Sequence, residues 1–247
     1  MSSFEFRDLS GISEMNAAEE LQRIVWGRDD TPDPADLMLV IQHEGGLVAG
    51  AFEEGRLMGY VFGFPTREPS VQHSHRLAVH PDARGSGLGL KLKWHQRDWC
   101  LGRGIRHVRW TYDPLRVVNA NLNINRLGGV SSTYFKDYYG AMAGINEGAP
   151  SDRLLVDWVL DSELVCERNS KVFRADFAEA DTVRIAIPDD FQSLLESDRQ
   201  AALSERLRVR DEMISAFQAG YEIRDFENQT LEYVLARKPV SKKASGL

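Results

Sequence analysis

Leu77-Ala78-Val79-His80-Pro81-Asp82-Ala83-Arg84-Gly85-Ser86-Gly87-Leu88-Gly89 is the stretch from which the chain is best read. Gln72 to Val79 alternates and turns apolar at Leu77, Ala78 and Val79, which predicts a strand stopped by His80, Pro81 and Asp82. Gly87 to Leu101 then carries Leu88, Leu92, His95, Trp99 and Leu101 near one helical stripe, closed by Gly102 and Gly104. A strand that feeds a glycine turn at a helix N-terminus leaves backbone N–H groups unpaired, at the positive end of the helix dipole. That arrangement is a phosphate cradle. Glycines let phosphate oxygens approach the backbone, and Arg84 adds a charge-assisted contact.

Two better-known cradles do not fit. A P-loop ends in Gly-Lys-Ser/Thr, whereas Gly89 is followed by Leu90. A dinucleotide fingerprint needs its third glycine at Leu90 and a βαβ setting, and the strands before this loop read as antiparallel hairpins. A glycine-rich helix start without a ligand is the remaining alternative.

Working outward, Phe4, Phe6 and Leu9 predict a short strand and Ser13 to Trp26 a helix, with Met15, Ala18, Leu21, Val25 and Trp26 near helical spacing. Gly27 to Pro34 reads as a loop and Ala35 to His43 as a second helix. Leu47 to Phe52 and Leu57 to Phe64, separated by Glu53-Glu54-Gly55-Arg56, predict an antiparallel hairpin. After the glycine loop and its helix come a strand over Ile105 to Tyr112 and a short helix over Asn119 to Leu127. Strands are then predicted over Val130 to Tyr139 and Leu154 to Leu160. The class is α+β, a mixed and mostly antiparallel sheet flanked by helices. Beyond residue 165 the spacing predicts a strand through Val183, Ile185 and Ile187, one long helix from Pro188 to Gly220, and a closing hairpin of Tyr221 to Phe226 and Thr230 to Ala236. The expected organisation is a domain over 1–165, a helix-and-hairpin annex over 166–240, and a frayed tail over 241–247.

The chain has 247 residues, with 43% hydrophobic and 27% charged, which excludes collagen-like, low-complexity and largely disordered chains. No apolar run reaches membrane-spanning length, and the start lacks a basic segment followed by an apolar one, so the expected compartment is the cytoplasm. Two cysteines, Cys100 and Cys166, are too few for a disulfide framework or a cysteine metal site. Net charge is −7 but unevenly placed: 5 Lys+Arg against 13 Asp+Glu in residues 1–70, 11 against 4 in 71–140, and 14 against 20 in 141–247. A basic island in an acidic chain suits a small polyanion better than a nucleic-acid duplex.

The tract from Leu77 to Gly89 matches R/Q-x-x-G-x-G/A and is similar throughout to the signature of the GNAT acyl-CoA N-acyltransferase superfamily. The resemblance covers roughly residues 4 to 160. It implies an acetyl-CoA or other short-chain acyl-CoA co-substrate; the His73-x-His75 spacing could bind a metal but has no convincing third ligand, so no metal is expected. The backbone of Leu77, Ala78 and Val79 would pair with the pantetheine arm, and Arg84, Gly85, Ser86, Gly87, Leu88 and Gly89 would hold the pyrophosphate. Asn119 and Asn123 would lie beside the arm. His73-Ser74-His75 and Trp110 to Leu115, with Asn119-Ala120, also look similar to a less characterised acetyltransferase branch, some members of which are thought to acylate amino acids. One departure stands out: the position where many relatives carry the tyrosine that protonates the leaving thiolate is Ile124, so Tyr134, Tyr138, Tyr139 or water would replace it, with Tyr139 the candidate.

For an acceptor amine of pKa about 10.4, deprotonation at pH 7 costs roughly 4.6 kcal/mol, so a base is needed. His73 and His75 share one face of the signature strand, and an unperturbed imidazole pKa of about 6.5 suits the task. A merely structural histidine pair is the alternative. Cys100 stands at the far end of the helix from the loop, which disfavours an acyl-enzyme and favours direct attack on the thioester. Trp110 and Asp113, at the end of the next strand, are the expected acceptor-pocket residues. The reading is therefore an acetyl or short-acyl transferase acting on a small-molecule amine, with no nucleic acid or membrane partner. A non-catalytic acyl-CoA-binding module or a succinyl-CoA-dependent enzyme is the alternative. Gly87→Asp is expected to fold like the parent provided Gly87 needs no positive φ.

Overall fold

The second strand of the sheet, β2 (Leu47–Glu53), is buried along nearly its whole length, and its side chains divide between two separate cores. Val48 and Phe52 join Leu9, Met15, Ala18, Leu21, Met38, Tyr60 and Phe62 beneath two helices. Leu47, Ala49 and Ala51 join Met58, Val61, Leu88 and Leu92 beneath a third. A sheet covered on both faces gives an unbroken apolar run instead of an apolar-polar alternation. The computed structural model describes residues 4–27, 30–140, 149–171 and 181–237, so the expected tail falls outside the described residues.

The chain forms two compact units. Of the described residues, the first unit holds 4–110 and 157–171, and the second holds 111–140, 149–156 and 181–237. The first begins with β1 (Glu5–Asp8), α1 (Gly11–Trp26) and α2 (Ala35–His43), then β2, β3 (Arg56–Pro65), β4 (Val71–Val79) and α3 (Leu88–Leu101). Glu14 secures the start of α1 by accepting from the Ser10 N–H at 2.7 Å and from both terminal nitrogens of Arg7. The strands run in the order β1, β2, β3, β4 and β5 (His107–Tyr112), antiparallel up to β4 and parallel between β4 and β5. β5 starts two residues later than the expected Ile105.

The second unit takes the end of β5, then α4 (Val117–Ala120), a π-helical segment over Asn121–Arg126, and β6 (Val130–Phe135). β6 stops short of the expected Tyr139, and Asp137 takes a positive φ of 44°. β7 (Arg153–Val159) runs through both units, and α5 (Glu163–Asn169) closes the first. β8 (Thr182–Ala186), α6 (Phe191–Ser197), α7 (Arg199–Gln218), β9 (Tyr221–Glu227) and β10 (Glu232–Arg237) complete the second. β9 pairs with both β10 and β6, which draws β6 into compactness with residues 181–237, so the unit boundary falls within β5 rather than at residue 165. The single long helix expected from Pro188 is two helices. Asp198 leaves helical geometry at φ −146° and caps α7 by accepting from the Ala201 N–H at 3.0 Å, the competition with the backbone for which aspartate is a favoured N-cap.

Asp113 is a correction to the expected acceptor pocket. It is 8% exposed, and its two oxygens accept from Arg206 Nη1 and Nη2 at 2.6 and 2.7 Å, while Oδ1 also accepts from the Leu115 N–H. It anchors α7 within the second unit, with both oxygens already engaged by Arg206 and the side chain buried away from a substrate amine. Asp113→Ala strands the buried Arg206 charge and is expected to lower unfolding free energy by about 3–5 kcal/mol in urea titration. A paired Asp113→Leu/Arg206→Met variant is expected to recover most of that loss.

Candidate functional site

β4 ends at Val79, a single 3₁₀ turn over Pro81–Ala83 follows, and the chain then passes Gly85 at φ 78° and Gly87 at φ 73° before α3 begins. A Cβ on either glycine would meet nothing within 4 Å, so glycine is required there by backbone angle and not by crowding. Gly87 therefore does need the positive φ, and an Asp at this position is strained by about 1–2 kcal/mol instead of being neutral. Arg84, Gly85, Ser86 and Gly87 are exposed and Leu88 is buried. The Ser86 hydroxyl donates to the Ala83 carbonyl at 2.7 Å, which ties the turn down from beneath. Gly89 opens the first turn of α3 with its Cβ position 3.6–3.7 Å from the side chains of Val79 and Leu77, so the loop and the end of β4 are adjacent.

The strand beside the loop has an open edge. β4 and β5 pair at Val71·His107, Gln72·Val108 and His73·Arg109, and their register ends there. On its other side β4 stays paired with β3 to Val79, but the register slips between Phe62 and Gly63, leaving His75 as the extra residue of a bulge. A bulge bends and twists its strand, and here the bend coincides with the end of the β4–β5 ladder. Ser74 to Val79 thus presents an unpaired edge toward β5, which an extended ligand can join as a strand.

His73 and His75 lie on the face covered by α1 and α2, as the spacing predicts. Their ring centroids are 6.2 Å apart; His73 stacks on Phe64 at 4.8 Å, and His75 meets Phe62 edge-on at 5.6 Å. Burial, with the charges of His75, Arg109 and Lys93, pulls His73 down to about 4, so it is neutral at pH 7. His75 is more exposed, and its Nε2 lies 3.1 Å from Asp33 Oδ1. Asp33 also faces Arg76 Nε at 3.1 Å, and Arg76 bonds Asp30 and the Thr31 carbonyl while stacking on Trp26 at 4.7 Å. Burial pushes the Asp33 carboxyl up, but the hydrogen bond and charge of His75, with the charge of Arg76, hold it below the usual carboxylate range. Asp33 was not among the residues expected from sequence; its only sequence signal is its place in the polar loop before Pro34.

The opposite face holds a second cluster. Lys93 on α3 is 2% exposed, and its Nζ donates to Gln96 Oε1 at 2.6 Å and Ser74 Oγ at 3.0 Å. The same Nζ lies 3.8 Å over the Trp110 ring and 5.1 Å from the Trp158 ring. Burial pulls Lys93 down to about 7. Trp110, expected to line an acceptor pocket, is instead 8% exposed and edge-on to Trp158 at 5.8 Å, because the face of β5 it occupies packs against α3. Cys100 is buried on this helix and pushed up to about 12 by burial, which removes it as a nucleophile.

In the second unit, Asn119 is half-buried on α4, and Asn123 is buried in the π-helical segment with its carbonyl accepting from Gly129 N–H. Ile124 is fully buried. The Tyr139 ring is exposed, with its hydroxyl 3.3 Å from Thr111 Oγ1 and the Arg153 guanidinium 5.0 Å from its centroid. Tyr134 donates to Asp152 at 2.7 Å, and burial beside that carboxylate raises its pKa. Among the described residues no cluster of three or more His, Cys, Asp or Glu has metal-binding geometry, and no helix is long and apolar enough to cross a membrane.

The acetyltransferase (GNAT) family model matches residues 14–122. Among solved structures, the ribosomal-protein-S18-alanine N-acetyltransferase of Escherichia coli is similar at TM-score 0.54 and 18% identity, covering 65% of this chain and 96% of that one. A putative acetyltransferase from Salmonella typhimurium, with its cofactor acetyl-CoA, is similar at TM-score 0.53 and 20% identity, over 66% of this chain and 96% of that one. A phosphinothricin acetyltransferase from Sinorhizobium meliloti, in complex with acetyl-CoA, follows at TM-score 0.51 and 19% identity, over 64% and 88%. No curated protein matches the chain.

The Lys93 shift has a direct consequence for stability. Its folded pKa of about 7 lies below its ordinary value of 10.5, so between those limits the unfolded chain binds the extra proton and stability rises with pH. Below pH 7 the cost of burying the charge is fully present. Chemical denaturation from pH 7 to 9 is expected to show a steeper upward slope for the parent than for Lys93→Met; equal slopes would show that Lys93 titrates normally.

Proposed function

We propose that this chain, whose residues 14–122 match the acetyltransferase (GNAT) family, is an acyl-CoA-dependent N-acetyltransferase that moves an acetyl or other short acyl group from acyl-CoA to a small-molecule amine by direct attack. The observation that carries the reading is the glycine loop at the start of α3 set against the open edge of β4. The exposed turn and the first N–H groups of α3 suit a pyrophosphate, with Arg84 adding charge. The backbone of Leu77, Ala78 and Val79 suits the amides of a pantetheine arm, and Asn119 and Asn123 keep the supporting role that the family resemblance implies.

The acceptor must lose a proton before its lone pair can attack. His75 is the base: Asp33 at 3.1 Å fixes the imidazole through Nε2 and stabilises the imidazolium that forms, leaving Nδ1 for the amine. His73 supports this role by packing and by remaining uncharged, because a base of pKa about 4 holds a proton too weakly to accept one from an amine. Nitrogen then bonds to the thioester carbon, backbone N–H groups of β4 polarise its carbonyl, and the C–S bond breaks. Tyr139, with its exposed hydroxyl, is the candidate donor of the proton that finally reaches sulfur. A small-molecule amine fits the acidic overall charge and the compact Asp33–His75 group, and the compartment proposed for the reaction is the cytoplasm.

Calorimetric titration is expected to show acetyl-CoA binding and raising Tm while NADH does neither; stabilisation by NADH alone would overturn the reading. Arg84→Ala is expected to weaken acetyl-CoA binding about tenfold with Tm unchanged, since the side chain is exposed and contributes a charge-assisted contact. Binding of acetyl-CoA without turnover of any member of an amine panel would favour the non-catalytic module.

His75→Gln is expected to lower turnover at pH 7 by about 10²-fold or more, and by less at pH 9, where alkali supplies neutral amine. Asp33→Asn should move in the same direction by a smaller factor. A pH–rate profile unchanged from the parent would remove His75 from the base role.

A further inference from the structure

The opening between β4 and β5 carries a charge that the steps above leave unused. Ser74 and Trp110 are the residues that directly follow the last paired positions, His73 and Arg109, and both touch the Nζ of Lys93. The ammonium therefore lies beneath the point where the two strands part. Its contacts are a hydroxyl, an amide oxygen and two indole faces, and among the described residues no carboxylate pairs with it. Gln96 is itself held by Ser74 and Gln72, so the network that seats the charge is neutral throughout. Buried charges are expensive unless paired, and this one is seated but not neutralised. The titratable groups around it are Cys100 on its own helix and His73 on β4, whose proton affinity the Lys93 charge lowers from across the sheet.

We propose that Lys93 is the counter-charge for the coenzyme A thiolate expelled in acyl transfer, acting from beneath the β4–β5 opening. The proposal rests on the acyl-CoA reading. In the transfer the neutral amine nitrogen bonds to the thioester carbon, the C–S bond breaks with its electron pair left on sulfur, and the second proton of the nitrogen passes to His75, which has released the first to water. The thiolate so formed needs a counter-charge until the proton proposed to come from Tyr139 reaches it. The sequence position at which the family resemblance implies a tyrosine is Ile124, which has no proton to give. A fixed ammonium in a water-poor setting stabilises such an anion strongly and needs no reorganisation when the charge appears. The arriving thiolate completes the ion pair that Lys93 lacks, and in doing so favours the charged form of the lysine. Its proximity to neutrality in the free protein marks how far burial has pushed it, to about 7.

The direct readout is the thiol of bound coenzyme A, followed by thiolate absorbance during a pH titration of the complex. In the parent protein the bound thiol is expected to ionise at least tenfold more readily than free coenzyme A. In Lys93→Met it should return to the free value, while desulfo-coenzyme A binds parent and variant within about twofold. Turnover in Lys93→Met should fall by about 10²-fold with the KM for acetyl-CoA little changed, a split that general loosening of the fold does not give. An unmoved thiol in the parent complex, a measurement that needs no variant, overturns the proposal alone. The same holds if the shift survives in Lys93→Met. Failure of both coenzyme A and desulfo-coenzyme A to bind overturns the acyl-CoA reading and the proposal with it.

Discussion

The β4–β5 ladder stops at His73 and Arg109, and the functional arrangement of the first unit follows from that stop. β3 holds β4 on one side as far as Val79, so when the bulge at His75 bends β4, β5 cannot follow. Backbone groups that would otherwise be spent on a neighbouring strand remain available along Ser74 to Val79. The same strand delivers the chain to the glycine turn, so the open edge and the N-terminus of α3 are placed by one element. Covering both faces of the sheet is what makes the bend sustainable. The cores beneath α1 with α2 and beneath α3 hold β2 and β3 in place independently of β5.

The two faces at the opening then carry different electrostatics. On the α1–α2 face the charges are compensated: His75 has Asp33, and Arg76 has Asp30 and Asp33. His73, more deeply buried and surrounded by positive charge, is held neutral. On the α3 face Lys93 is seated among neutral groups. Environments that differ in this way suit the different work proposed for the two faces, a proposed base with an orienting carboxylate on one side and a fixed cation on the other. Interchanging the roles would fail. Lys93, charged in its proposed role and already donating to Gln96 and Ser74, has no lone pair for an amine's proton, and His75 is too exposed to keep a strong field.

Much of this was legible in the sequence because its signals are local. Turn chemistry at Gly55, at His80-Pro81-Asp82 and at Gly85 and Gly87 depends on the residues themselves, and the strands and helices around them stand where the spacing predicts. What was not legible depends on contacts distant in sequence. Asp33 reaches His75 across 42 positions from a loop with no periodicity to read. Lys93 sits in Lys91-Leu92-Lys93-Trp94, where a helical lysine reads as solvated, and only the packing of Ser74, Trp110 and Trp158 around it shows otherwise. The break at Asp198 was missed for a different reason. Aspartate is tolerated inside a helix and favoured at its start, and the composition of the stretch does not separate the two.

Asp113 and Lys93 show how a buried charge can be assigned to the fold or to a ligand. Both are nearly inaccessible, and removing either from water is costly. Asp113 meets a guanidinium with both oxygens and also holds the Leu115 N–H, so its charge is matched within the second unit and belongs to that unit's architecture. Lys93 has hydrogen-bond acceptors for its protons but no opposite charge. Replacing it with an apolar residue of similar length would relieve the desolvation cost while leaving Ser74 bonded to Gln96 at 3.2 Å, so packing alone does not require an ammonium there. A residue that the fold would hold more cheaply in neutral form, positioned where two strands part for a ligand, is accounted for by an anion that is present only during the reaction.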